Sequence, residues 1–155
     1  MPLIKKNNKS KTTQEIVDDI KYSINKITSQ NTPILSITIT NTSCRTKEEL
    51  RFHLTNKLFN KIHKDYKHSL DILNYFFVIE YPTKVSMGNQ IPDNCEVHTH
   101  IILGTTIPED TIKDYIYKTF SFKTTREDNV FIENTTLRND KWKYAGYLIK
   151  QSHLL

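Results

Sequence analysis

Glycine is scarce in this 155-residue chain, where Gly88, Gly104 and Gly146 are the only three. None stands close to another, so neither the G-x-x-x-x-G-K-S/T phosphate loop nor the G-x-G-x-x-G dinucleotide fingerprint can be written anywhere. Cysteine is scarcer still. Cys44 and Cys95 cannot build a disulfide framework and lack the C-x-x-C spacing of a zinc site, which points to a reducing, intracellular compartment. No uninterrupted apolar run approaches the ~20 residues that a membrane span requires. Met1 to Lys11 offers lysines and asparagines in place of an apolar signal core. The expectation is a chain that is neither secreted nor membrane-spanning.

What is present supports a folded domain. Hydrophobic residues make up 37% of the chain, with eight Tyr and seven Phe, enough to bury one modest core. Lysine and arginine outnumber the acids 22 to 17, a formal net charge of +5 and a pI near 9.1, which suits a phosphate-bearing partner such as nucleic acid.

Hydrophobic periodicity orders the chain. Thr12 and Glu15 form a capping box, and Ile16, Ile20, Ile24 and Ile27 recur at helical spacing, predicting an amphipathic helix over about Thr13 to Ser29 after a loose Lys/Asn-rich tail. From Ile34 to Thr40 the period becomes two, with Leu35, Ile37 and Ile39 on one face of a strand. Thr46 and Glu49 then open a long helix to about Tyr66, carrying Leu50, Leu54, Leu58 and Ile62. A second strand is expected over Leu73 to Tyr81. A polar loop, Pro82 to Asn94, and a third strand, Glu96 to Leu103, follow. Thr106 and Pro108 begin a helix reaching about Phe120, Asn129 to Thr135 reads as a fourth strand, and a last helix runs from Lys141 towards Gln151. The order, helix and then β-α-β-β-α-β-α, predicts an α+β, ferredoxin-like or RRM-like domain. Its antiparallel-rich sheet would have four to five strands with helices on one face, plus the extra N-terminal helix.

The most informative residues are His98-Thr99-His100. Histidines at i and i+2 of a strand point to one face, close enough for both imidazoles to bind one metal ion. Glu80, ending the preceding strand, or Glu96, two residues before His98, can complete a 2-His-1-carboxylate set. Glu80 is preferred because a neighbouring strand approaches the ion from a different direction. On the last helix, Tyr144, Tyr147 and Lys150 fall within one sector, opposite Trp142, Ala145 and Ile149. A tyrosine is a workable nucleophile toward a phosphate polarised by a metal ion.

A His-x-His strand, an acid on the strand before it and a Y-x-x-K on a later helix, in this order, resemble the HUH endonuclease domain of rolling-circle replication initiators. Ile37-Thr38-Ile39-Thr40-Asn41 likewise resembles that family's first motif, a strand ending in Thr/Asn that contacts DNA. The resemblance covers about Ile34 to Gln151, giving residues 34–155 as the endonuclease domain and 1–33 as a tail and helix outside it. It implies that Glu80, His98 and His100 hold Mg²⁺ or Mn²⁺, that Tyr147 is the single nucleophile and that Lys150 assists it. Thr38, Thr40, Asn41 and Tyr144 are then the DNA contacts. Thr99 departs from the pattern, since the family typically has a bulky hydrophobe between the histidines.

The implied partners are single-stranded or hairpin origin DNA, a helicase domain and host replication proteins, with no membrane. Because no helicase motif is present, an excised nuclease domain or a complete small protein is expected, and an end at Leu155, just after the tyrosine helix, favours excision. The implied compartment is the cytoplasm for a prokaryotic plasmid or virus and the host nucleus for a eukaryotic virus. Two rivals remain: a related HUH transposase or relaxase, and a non-catalytic RRM-like module in which Tyr75 and Phe77 stack bases on the sheet.

Overall fold

The computed structural model describes residues 13–28, 32–81 and 97–135. Helix α1 (Thr13–Thr28) leads into strand β1 (Ile34–Ile39) and then a helical rod. The rod runs without a break through α2 (Lys47–Phe52), a π-helical segment (His53–Phe59) and α3 (Asn60–Tyr66). Strands β2 (Leu73–Glu80) and β3 (His98–Thr105), helix α4 (Glu109–Thr119) and strand β4 (Val130–Asn134) complete the order.

The rod starts where its capping box places it. Thr46 Oγ1 accepts the Glu49 N–H at 3.1 Å, while Glu49 Oε2 accepts the N–H of Arg45, one residue before the cap, at 3.0 Å. A cap of this kind contributes about 1 kcal/mol. At the other end of the chain's helical layer, α4 begins behind Pro108, whose fixed φ of −58° suits the entry.

The four strands form one antiparallel sheet in the order β2-β3-β1-β4. Strands joined by a helix do run parallel, since each is antiparallel to the strand between them, but neither pair is adjacent. β3 lies between β1 and β2, and β1 lies between β3 and β4. This is the split β-α-β arrangement of the ferredoxin-like fold.

Period-two alternation divides the sheet into two faces. Leu35, Ile37, Ile39, Ile79, Ile101 and Leu103 form one, and they pack with Leu50, Leu54, Leu58 and Ile62 of the rod and Ile112 and Ile116 of α4 in a single buried cluster. Each such side chain contributes about 1.5–3 kcal/mol by leaving water.

The second face is covered as well, which corrects the expectation of helices on one side. Ile34, Val78 and Ile102 are buried there, outside the main cluster. A Cβ added to Gly104, on that face, would sit 2.8 Å from Ile27 Cγ2 of α1 and 3.2 Å from the Ile27 carbonyl oxygen. α1 therefore crosses the sheet over β2 and β3, and glycine at 104 is what permits the close approach. Strand β3 also runs to Thr105, beyond the predicted end at Leu103, because the Thr105 N–H donates to the Pro33 carbonyl and its hydroxyl to the Ile72 carbonyl. The predicted tail, the loop Pro82 to Asn94 and the helix from Lys141 lie outside the described residues. Among the described residues, no helix is long and apolar enough to cross a membrane.

Candidate metal centre

Two neighbouring strands bring three ligand-type side chains together at one end of the sheet. On β3, His98 and His100 project to the second face while Thr99 and Ile101 project into the core. On β2, Glu80 is paired with His98 and Val78 with His100. Glu80 thus reaches over Val78's row to both imidazoles, and its Oε1 lies 2.7 Å from His98 Nε2 and 2.8 Å from His100 Nε2. The two rings stand 5.2 Å apart and nearly perpendicular, so their edges converge on that oxygen.

Burial makes this cluster unusual. Glu80 is only 5% exposed, and among the described residues no other Asp, Glu, Lys or Arg is buried. Charges taken out of water are paired or coordinate metals, because an isolated one costs too much. The potential ligand atoms all lie within 4.8 Å of one another. Ligands at right angles on an ion bound at about 2.1 Å are about 3.0 Å apart. The observed separations are a few tenths of an ångström shorter, so a small outward shift of Glu80 opens the site. The two nitrogens and the carboxylate can hold a metal ion, with other coordination positions left for outside ligands.

The electrostatics keep His100 ready for this role. Burial is the main cause that pushes its pKa below the ordinary imidazole value, with the His98 charge adding to it and the Glu80 hydrogen bond and charge opposing. A neutral imidazole presents a lone pair, which a metal needs. Thr38 of β1, paired with His100 across the sheet, sets the ring's other side: its Oγ1 is 3.1 Å from His100 Nδ1. A hydroxyl both donates and accepts. It can therefore donate to Nδ1 while Nε2–H bonds Glu80, and accept from Nδ1–H once Nε2 carries a metal.

The remaining sequence-predicted residues divide clearly. Thr40, just past β1, is half-buried and its N–H donates to the Asn129 carbonyl. Asn41 takes a left-handed φ of 58°, which asparagine tolerates, and its side chain donates to Asn129 Oδ1 at 2.7 Å. Both therefore shape the turn beside the site. Thr99, the departure from the His-x-His pattern, is fully buried, and its hydroxyl donates to the Val78 carbonyl at 2.8 Å, so a polar residue is accommodated in the core. Glu96, Tyr144, Tyr147 and Lys150 lie outside the described residues.

Tyr75 and Phe77, the stacking residues of the RRM-like alternative, are on the face covered by the rod. Phe59 stacks on Tyr75 with ring centroids 3.7 Å apart and planes 4° apart, and Phe77 lies 6.4 Å from Phe59 on its other neighbouring position. They are engaged beneath the rod. Among the described residues of the sheet, the exposed aromatic on the metal face is instead Phe131 of β4, paired with Thr38 and 55% exposed. Sequence reasoning missed it, although its place in an alternating strand was a usable signal. Comparison with known protein families, with curated proteins and with solved structures finds no match.

Proposed function

We propose that this protein is a metal-dependent, single-strand DNA nicking and joining enzyme of the HUH type, acting at the start of rolling-circle replication. The observation that carries the reading is the buried Glu80-His98-His100 group on adjacent strands of a ferredoxin-like sheet. Support also comes from the order of motifs along the chain, with Tyr147 and Lys150 following. A mixed donor set of two imidazoles and one carboxylate suits Mn²⁺ better than Mg²⁺, which prefers oxygen ligands throughout.

A divalent ion bound there supplies Lewis-acid polarisation of a phosphodiester. Tyr147 is the nucleophile: its phenolic oxygen attacks phosphorus, the bond to the 3′ oxygen breaks, and the products are a 5′-phosphotyrosyl link and a free 3′-hydroxyl. The link retains the energy of the broken ester, so a later 3′-hydroxyl can reverse the step and rejoin the strand. An ordinary tyrosine is almost wholly protonated at neutral pH, and the Lys150 ammonium lowers the cost of its ionisation. Glu80 holds both histidines in register, and Thr38 fixes the orientation of His100.

The test is incubation of the full chain with an end-labelled library of single-stranded hairpin DNA, with and without Mn²⁺. Cleavage that needs the metal and leaves DNA covalently on the protein supports the reading. Nicking with no adduct would make water the nucleophile, and DNA binding without cleavage would return the protein to the class of binding modules.

A further inference from the structure

Strand β4 lies beside β1, and its side chains alternate between the two faces of the sheet. Val130 belongs to the main core cluster and Ile132 packs against it, so Phe131 between them points to the opposite face. That is the face of the metal ligands. The register sets Phe131 and His100 on either side of Thr38, whose hydroxyl meets the His100 ring at 3.1 Å, so the three side chains form one row across the sheet. Neighbouring strands lie about 4.8 Å apart, which puts the backbone of Phe131 about 10 Å from that of His100. Helix α1 packs over β2 and β3, while the Phe131 end of the row is more than half exposed.

We propose that Phe131 is a base-stacking platform for the strand bound at the metal centre, carrying a nucleobase close to the phosphate that meets the ion. The inference rests on the metal-centre reading above and adds a base contact to it. Stacked nucleotides advance by about 3.4 Å along a strand, so about three of them cover the span from His100, and fewer do so in an extended strand. Every base has a π-face, so one aromatic ring can hold a strand without reading its sequence. Charge complementarity points to the same occupant. A divalent ion offset by one carboxylate, in a chain of net charge +5, draws a polyanion to this face, and the bases accompany its phosphates. Glu133 follows Phe131 on the same face and disfavours phosphates at that end of β4, so the backbone is kept toward the histidines.

The experiment compares the full-length parent with Phe131→Leu, which keeps an apolar side chain without a π-face, and Phe131→Trp, which enlarges the π-face. Fluorescence anisotropy in saturating Mn²⁺ reads the affinity of an oligothymidylate and of an abasic oligomer with the same number of phosphates. Phe131→Leu should bind the oligothymidylate about tenfold more weakly. Its affinity for the abasic oligomer and its salt dependence should match the parent's, because no charge is removed, and so should its Mn²⁺ affinity by calorimetry. Phe131→Trp should retain oligothymidylate affinity, and the new indole's fluorescence, taken as the difference from the parent, should be quenched as the DNA binds. An unchanged oligothymidylate affinity in Phe131→Leu overturns the inference, and so does an equal loss for the abasic oligomer, which marks a residue that only supports the fold. Self-association of the parent that Phe131→Leu abolishes overturns it too, since a second copy then covers the ring. Failure of the metal-centre reading shows differently, as a parent that binds no Mn²⁺, and takes this inference with it.

Discussion

Replacing Glu80 with glutamine separates the charge of the site from its shape. In the metal-free protein Oε1 accepts from both imidazoles at 2.7 and 2.8 Å, and a glutamine carbonyl can accept the same two hydrogen bonds. The metal-free fold should therefore survive the change. Metal binding should not, because the one charged ligand of three is lost. Loss of a residue that merely orients a ligand weakens metal affinity by about 10–100-fold, so loss of a ligand itself should cost at least about 100-fold. At a Mn²⁺ concentration of about 100 times the parent's Kd, binding stabilises the parent by about 2.7 kcal/mol. For a chain of 155 residues that is a rise of roughly 5–10 °C in Tm. Under the same conditions Glu80→Gln sits near its own Kd and gains only about 0.4 kcal/mol, roughly 1–2 °C. Differential scanning fluorimetry with and without Mn²⁺ measures both shifts. A Glu80→Gln protein that keeps the parent's full shift would refute the assignment of Glu80 as a ligand.

Other consequences can be checked in parallel. Thr38→Val removes the hydroxyl beside His100 Nδ1 and should weaken Mn²⁺ binding by about tenfold or more while costing the metal-free fold only about 1 kcal/mol; calorimetry showing unchanged affinity would leave Thr38 without a role in orienting the ring. The lowered pKa of His100 means that the unfolded chain takes up a proton that the folded chain resists. Its contribution to metal-free stability is thus constant above about pH 6.5 and is lost as pH falls towards the folded value, by at most about 1.4 kcal/mol per pH unit. His100→Gln should flatten urea-melt stability over that range, and an identical pH profile would contradict the burial argument. Gly104→Ala forces a methyl group to within 2.8 Å of Ile27 Cγ2 and 3.2 Å of its carbonyl oxygen, at a cost of about 1–3 kcal/mol. Thermal melts of Gly104→Ala, Ile27→Ala and the double variant should show less than additive loss, because the shorter side chain relieves part of the clash.

Much of the fold is legible in the sequence because local periodicity carries it. Leu50, Leu54, Leu58 and Ile62 mark the buried stripe of the rod, and Leu35, Ile37 and Ile39 mark the core face of β1. The histidine pair is legible for the same reason, since i and i+2 share a strand face whatever the partner strands are. Glu80 follows from assuming that β2 pairs with β3, which the register bears out in placing Glu80 opposite His98.

What escapes a single sequence is long-range pairing. Thr38 meets His100 across 62 residues of chain, and only the insertion of β3 beside β1 makes them neighbours. The isoleucines of α1 show that it is amphipathic but not which sheet face it covers. Polar Ser36 and Thr38 on the second face of β1 hid that layer, although Ile34-Leu35-Ser36-Ile37 is buried without a break in the structure. Alternation also separates Tyr75 and Phe77 from Glu80. Odd positions of β2 face the rod and even positions face the metal site, so aromatics at 75 and 77 were never placed to stack a strand bound at the histidines.

The most direct test of the proposed chemistry is mass spectrometry of the protein after reaction with single-stranded origin-type DNA in Mn²⁺. The metal-dependent tyrosine mechanism predicts a nucleotide-bearing peptide modified at Tyr147, absent from His98→Ala/His100→Ala and from Tyr147→Phe, although Tyr147→Phe still binds the DNA. A nucleotide on Tyr144, or an adduct that forms equally well without the two histidines, would contradict it.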